Sequence, residues 1–394
     1  VTDSASIKVE WPKKFNEIPK EVFVREDLFE IEQQKIFRGP EWHAVAHTGE
    51  LPNPGDFKTF SLGSVPLLIV HGQDGEHRVF YNSCSHRANQ LETNSFGNKT
   101  EFECPYHRWL FNPEGELVGC PHSKEYSPGF KREDYPLDRP RTDIFYGLIF
   151  ITMDGNTPPL EEWLGDVKPT LVKTMGGDGR LRLLGYQKVS YKSNWKGYND
   201  NDGYHAPLLH TAFTLLNWQG GDGRQYMDMD RGHLGFEAEV KPVPKSDFIK
   251  DHSLVDFLGD EANMGSRLVA LFPSTVITRH LNVYNIRFAI AVGPEDTEVH
   301  YAYFCRADDD EEMIKHRIRQ SSNLLGPCGM VSMEDASIFH RIHIGSNTPG
   351  NAIFQKGVKS FDTMESDIKQ NDETGNLVRW EYYRKVMGFE RAST

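Results

Sequence analysis

Cysteine is scarce in this chain, with five in 394 residues. Two of them, Cys84 and Cys104, stand near histidines, while Cys120, Cys305 and Cys328 are odd in number and widely scattered. Such a remainder does not read as a disulfide framework, so the cytosol is the expected compartment. Long apolar runs are missing too. No stretch of 18 or more apolar residues occurs and residues 1–20 have no apolar core of a signal sequence, so neither a membrane span nor an export signal is expected. Basic charge is outnumbered: 44 Lys and Arg face 57 Asp and Glu, a formal charge of −13, which argues against nucleic acid as a partner. No G-x-G-x-x-G opens a helix after a strand, so a nicotinamide dinucleotide is not expected to bind here. Internal repeats and low-complexity tracts are absent as well.

What is present is enough chain for about two domains, each with its own core. Leu28, Phe29, Ile31, Ile36 and Phe37 recur at roughly helical spacing among charges, with Asp27 as the expected cap, so a leading segment over 1–40 is expected to pack on the body. From residue 41 to 156 the pattern is one of short runs rich in Val, Ile, Phe and Tyr between turn formers, such as Pro66 to Val70, Val79 to Asn82 and Tyr146 to Thr152. This predicts a small antiparallel β domain. Gly155-Asn156-Thr157-Pro158-Pro159 is the best boundary signal. Beyond it, residues 157–394 are expected to form a larger α+β domain. Strands are predicted over 180–191, 268–278, 284–292 and 298–304, and helices over 203–216 and 308–325.

The most informative stretch is Cys84-Ser85-His86, seventeen residues, then Cys104-Pro105-Tyr106-His107. Two thiolates and two imidazoles are the ligand set of a Rieske [2Fe–2S] centre, in which two His replace two Cys on one iron. Tetrahedral zinc is the competing reading. Zinc pairs usually run Cys-Cys then His-His, whereas here each half carries one of each, as a cluster with one sulfur-bound and one nitrogen-bound iron requires.

Cys-x-His-Arg followed by Cys-Pro-Tyr-His-x-Trp and the polar turn Asn112 to Gly115 resembles the Rieske domain of the large (alpha, oxygenase) subunit of ring-hydroxylating non-haem iron oxygenases. The match departs at Ala88 and Arg108, where such proteins often have Gly. The resemblance implies a Rieske domain placed before a catalytic domain with a central antiparallel, helix-grip-like sheet.

A second stretch, Asp202-Gly203-Tyr204-His205-Ala206-Pro207-Leu208-Leu209-His210, offers two histidines five apart. Alone that spacing is weak, and satisfied core or surface histidines would explain it. Beside a one-electron cluster it has a better reading, because the cluster needs an acceptor, and two imidazoles with one carboxylate make the facial triad of a non-haem Fe(II) oxygenase. Asp-x-Tyr-His-x4-His also resembles the family's iron-binding stretch, which implies that Asp202 links the two metal centres. The preceding Asn199-Asp200-Asn201 is shorter than the family's common form. For the third ligand, the resemblance of Ser332-Met333-Glu334-Asp335 to oxygenases acting on aromatic carboxylates implies Asp335, with Glu334 the second choice.

The family resemblance further implies an enzyme, a mono- or dioxygenase. Electrons come ultimately from NAD(P)H through a separate reductase or ferredoxin, pass the Rieske cluster and reach the mononuclear Fe(II), with O2 as co-substrate. A trimer, sometimes with a small beta subunit, is implied too. Asp202 would then bridge His205 to His86 or His107 of a neighbour, a hydrogen-bonding role usual behind metal ligands. The motifs lie nearest the terephthalate, salicylate and anthranilate branch, so an aromatic carboxylic acid is the expected substrate, with Arg287 as its carboxylate partner. An outward-facing strand arginine would read the same. Phe213, Leu216 and Trp218 are candidate pocket walls, although core packing explains each as well. Two alternatives stay open: oxidative N- or O-demethylation by the same iron chemistry, and a non-catalytic electron-transfer or zinc-binding protein.

Overall fold

The computed structural model describes residues 7–200, 223–239, 247, 249–259, 265–365, 369 and 372–393. The chain separates into two compact units, one of residues 38–160 and one of residues 1–37 with 161–394.

The unit 38–160 is built from short antiparallel strands. Leu67, Leu68, Ile69 and Val70 are all fully buried, a run without alternation that fits a strand covered on both faces. That strand, Val65–His71, lies inside a four-stranded sheet ordered His77–Tyr81, Val65–His71, Asp56–Leu62, Phe96–Asn98. Two three-stranded sheets complete it. One holds His43–His47, Leu148–Thr152 and Arg141–Phe145, and the other Phe102–Glu103, Leu110–Phe111 and Leu117–Gly119. Phe57, Leu68, Phe80, Phe102, Trp109 and Phe111 form the core, and the sulfurs of Cys84 and Cys104 are part of it. The two motif cysteines thus enter apolar surroundings.

The larger unit is organised by a seven-stranded antiparallel sheet. Its order is Leu181–Tyr191, Thr297–Arg306, Val283–Ala291, Thr275–His280, Gly265–Leu271, His233–Glu239, Gly223–Asp228. The single strand predicted over 268–278 is two strands, because the chain turns at Phe272-Pro273-Ser274 and proline has no N–H to continue a ladder. One face of the sheet presents Tyr191, Val283, Ala289, Val299, Tyr301 and Tyr303. It packs on Tyr198, Leu324, Val331 and Phe339 from helical segments.

Helix Met330–Ser346 buries Val331, Ser332, Asp335 and Phe339, a spacing of three and four that turns one stripe inward. The helix expected over 308–325 is α-helical from Glu311 to Gln320 and capped by Asp310, whose carboxylate accepts from the Met313 N–H at 2.8 Å. It continues as a wider π turn over Ser321–Leu325. The leading helix runs Glu26–Glu32, also followed by a π turn, Gln33–Phe37. Its N-cap is Arg25 rather than Asp27. Asp27 sits in the first turn, where it pairs with Arg25 at 2.5 Å and its charge suits the helix dipole. The helix expected over 203–216 lies outside the described residues. Among the described residues no helix is long and apolar enough to cross a membrane.

Candidate metal centres

The two motif halves fold into matching turns. In the first, the Ala88 N–H donates to the Cys84 carbonyl at 2.9 Å and the Cys84 N–H to the Asn89 carbonyl at 2.8 Å. In the second, the Arg108 N–H donates to the Cys104 carbonyl at 2.9 Å and the Cys104 N–H to the Trp109 carbonyl at 2.8 Å. Closing each turn in this way puts its fourth residue after the cysteine into the left-handed region. Those residues are Ala88 (φ 55°) and Arg108 (φ 61°), the two positions where glycine is the commoner choice. The Arg108 guanidinium, exposed, pairs with Glu103.

The turns bring like to like. The Cys84 and Cys104 thiols are buried and within hydrogen-bond reach of each other. Burial, reinforced by the second thiol, pushes the Cys84 thiol above its ordinary value, so a thiolate pair here needs a cation. The His86 and His107 rings lie 4.6 Å apart, and the Nδ1 atom of each is buried without a hydrogen-bond partner. Burial, with the neighbouring His107 and Arg87, lowers the His86 pKa. Orphaned buried acceptors are uncommon in folded proteins. Two such nitrogens and two neighbouring buried thiols match the donor set of a [2Fe–2S] centre with one sulfur-bound and one nitrogen-bound iron. A single tetrahedral ion would draw all four ligands to one point. Trp109 stacks on His86 at 4.6 Å and donates its Nε1–H to the Tyr126 hydroxyl at 2.9 Å, and Tyr106 lies 3.7 Å from His107.

Of the second set, Asp202, His205, His210, Phe213, Leu216 and Trp218 lie outside the described residues. Asp335 is described: it is buried on the inward stripe of helix Met330–Ser346, whereas Glu334 is only half-buried. It is close enough to Tyr191 for its charge to help raise that phenol, after burial and Tyr301. Around it stands an aromatic cluster. The Tyr191 and Tyr301 hydroxyls are 3.2 Å apart, the Tyr303 hydroxyl donates to Gln187 Oε1 at 2.8 Å, and Phe339 meets Tyr191 and Tyr198 edge-on at 5.3 Å each. Arg287 belongs to this same sheet face. Its strand register pairs it with Tyr301, its guanidinium lies 5.3 Å over the Tyr301 ring, and its Nε–H donates to Asn285 Oδ1 at 2.8 Å. Arg287 itself is half-buried.

Sequence reasoning missed the residues that hold the chain just before 202–210. Helix Trp195–Asn199 is tied to Glu32, which is fully buried and accepts from Trp195 Nε1 at 2.7 Å, Lys196 Nζ at 2.6 Å and the Tyr383 hydroxyl at 2.6 Å. Asp200 accepts from Trp380 Nε1 at 2.6 Å, and burial raises its carboxyl pKa. A signal for Glu32 did exist, because it falls on the apolar stripe of Leu28, Ile31 and Ile36. A charge on such a stripe is buried and paired.

The fold and these centres define a Rieske-type iron protein with a second, catalytic unit. The family comparisons agree. The Rieske [2Fe-2S] domain matches residues 41–136 and the ring hydroxylating alpha subunit (catalytic domain) matches residues 178–374. The chain is 29% identical over 403 residues, 94% of its length and 93% of the relative's, to the anthranilate 1,2-dioxygenase large subunit of Burkholderia cepacia. It is 28% identical over 412 residues, 96% of each, to the large oxygenase component of salicylate 5-hydroxylase from a Ralstonia species. Its fold matches naphthalene 1,2-dioxygenase from a Rhodococcus species, solved with indole, with a TM-score of 0.81 over 94% of each chain at 22% identity. The chain belongs to the ring-hydroxylating oxygenase alpha-subunit family. It is the terminal oxygenase component of such a system, and the family implies a Rieske cluster, a mononuclear iron and a reductase or ferredoxin partner.

Proposed function

We propose that this chain hydroxylates the ring of an aromatic carboxylic acid, within a homotrimer that draws electrons from NAD(P)H through its partner and works in the cytoplasm. Residues 41–156 carry the cluster and residues 157–394 carry the iron and the substrate, with residues 1–40 packed on the latter. When bound, the cluster relays single electrons and the mononuclear Fe(II) activates dioxygen. Cys84 and Cys104 supply the thiolates, and His86 and His107 supply Nδ1. His205, His210 and Asp335 hold the Fe(II). Asp335 suits that role better than Glu334, being the acid on the buried stripe. Asp202 would accept a ring N–H from His205 and, across a subunit interface, one from His86 or His107 of a neighbouring protomer, fixing both tautomers. Phe213, Leu216 and Trp218 would supply walls of the substrate pocket.

The observation that carries the substrate class is Arg287. Its guanidinium lies over the Tyr301 ring on the sheet face that also carries Tyr191 and Tyr303, and the fork of a guanidinium matches a planar carboxylate bidentately. The names of the relatives, anthranilate dioxygenase and salicylate hydroxylase, point to the same class. The test is oxygen uptake by the purified protein with a generic reductase against a panel of benzoates and their amides. Uptake coupled to hydroxylated acid supports the reading. Formaldehyde release from methoxy or methylamino substrates without ring attack would replace it with demethylation. The Asp202→Asn protein is expected to keep both metals and lose single-turnover electron transfer.

A further inference from the structure

Helix Trp195–Asn199 has five residues and ends six positions before His205. A helix of that length does not hold itself in water, so its placement comes from what grips it. Two carboxylates do so: Glu32, fully buried, reaches it from the leading helix, and Asp200, half-buried at its C-terminal end, is held from the last helix. Glu32, in the leading helix, accepts three hydrogen bonds from Trp195, Lys196 and Tyr383, and the Lys196 ammonium also lies 5.1 Å and 5.7 Å from the Trp195 and Tyr383 rings. Asp200, directly after the helix, is gripped from helix Thr374–Met387. Trp380 Nε1 donates to its carboxylate at 2.6 Å, Asn376 Nδ2 donates to its carbonyl, and Arg379 Nη1 donates to the Asn199 carbonyl at 2.8 Å. Asn376, Arg379 and Trp380 are three and four apart, hence on one face of that helix. On the other side the Asn199 side chain donates to the Pro273 carbonyl at 2.8 Å.

We propose that Glu32 and Asp200 are positioning residues for the mononuclear iron, fixing from both ends of the chain the helix that leads into the stretch 202–210. The proposal rests on the reading that His205 and His210 hold that iron. Burying carboxylates is expensive, and apolar residues of similar volume often hold a core as well. What the carboxylates add is direction, because each hydrogen bond is aimed. Ligand geometry is sensitive to displacements of about 1 Å.

The experiment uses the holoenzyme and compares wild type, Glu32→Gln, Asp200→Asn and Trp380→Phe. The control is Glu381→Gln, whose carboxylate is also buried but pairs with Arg384 and Arg391 instead. Each protein is stripped of mononuclear iron and titrated with Fe(II), its Rieske absorbance and EPR are recorded, and kcat and KM are measured separately. The first three variants are expected to keep the Rieske spectrum and bind Fe(II) at least fivefold more weakly. Their kcat should fall at least fivefold with KM within twofold of wild type. The control should lower thermal stability and leave Fe(II) affinity and kcat unchanged. If the variants behave as the control does, the proposal is wrong. Should Glu32→Gln fail to fold, Trp380→Phe decides, since it removes one donor and keeps an aromatic ring. A wild-type protein that takes up no second iron overturns the functional reading itself.

Discussion

Replacing Ala88 by glycine is expected to stabilise the unit that carries the Cys84 and Cys104 turns. Ala88 has φ of 55° and is held there by the hydrogen bond from its own N–H to the Cys84 carbonyl. A residue with a Cβ in that region costs roughly 1–2 kcal/mol. Glycine removes that strain and returns about 0.5–1 kcal/mol through its freer unfolded chain. The net gain for Ala88→Gly is ~0.5–1 kcal/mol, which for a unit of this size (residues 38–160) raises the midpoint by roughly 2–5 °C. Arg108, at φ 61°, is expected to behave alike, less the few tenths of a kcal/mol that an exposed ion pair such as that with Glu103 contributes. Ala88→Val is the opposite perturbation, because a β-branched residue is least tolerated at positive φ. The assay is thermal bleaching of the Rieske absorbance, followed together with far-UV circular dichroism. Glycine substitutions that leave the midpoint unchanged or lower it, with valine tolerated, would refute the claim that these turns store backbone strain.

Three further outcomes are expected. Gly115, at φ 89° in the turn after the second motif half, has the Phe80 ring 2.4 Å from where a Cβ would stand. Gly115→Ala should therefore destabilise by roughly 2–4 kcal/mol, read as a lower denaturant midpoint at unchanged slope. His233 is fully buried, accepts from the Phe272 N–H and donates to the Trp163 carbonyl, and burial pushes its pKa down from 6.5 to about 3. A depressed histidine contributes stability that is complete above pH 6.5 and lost as pH falls toward 3. At pH 4.5 the loss is ~3 kcal/mol, and urea unfolding should show it vanish in His233→Gln. Arg287→Gln should lower kcat/KM for a benzoate by roughly 10- to 100-fold, the worth of a charge-assisted hydrogen-bond pair, and leave the corresponding amide nearly unaffected.

The sequence by itself determined the cluster chemistry and the broad architecture. Cys84, His86, Cys104 and His107 sit on turns closed by hydrogen bonds spanning four and five residues, so their local geometry is written within a short stretch. Strand runs such as Val65–His71 were legible for the same reason, since period and composition are local. The tertiary structure decided the rest. Which side of its strand Arg287 faces depends on which sheet face the helices cover, and alternation alone is symmetric between the two faces. Whether Asp335 or Glu334 turns inward depends on the rotation of helix Met330–Ser346 against Tyr191 and Tyr303. Glu32 acquires its partners only when residues 164 and 351 positions away are brought beside it. Contacts that distant in sequence leave no periodic trace, so the carboxylates that hold helix Trp195–Asn199 became visible only once the chain was folded.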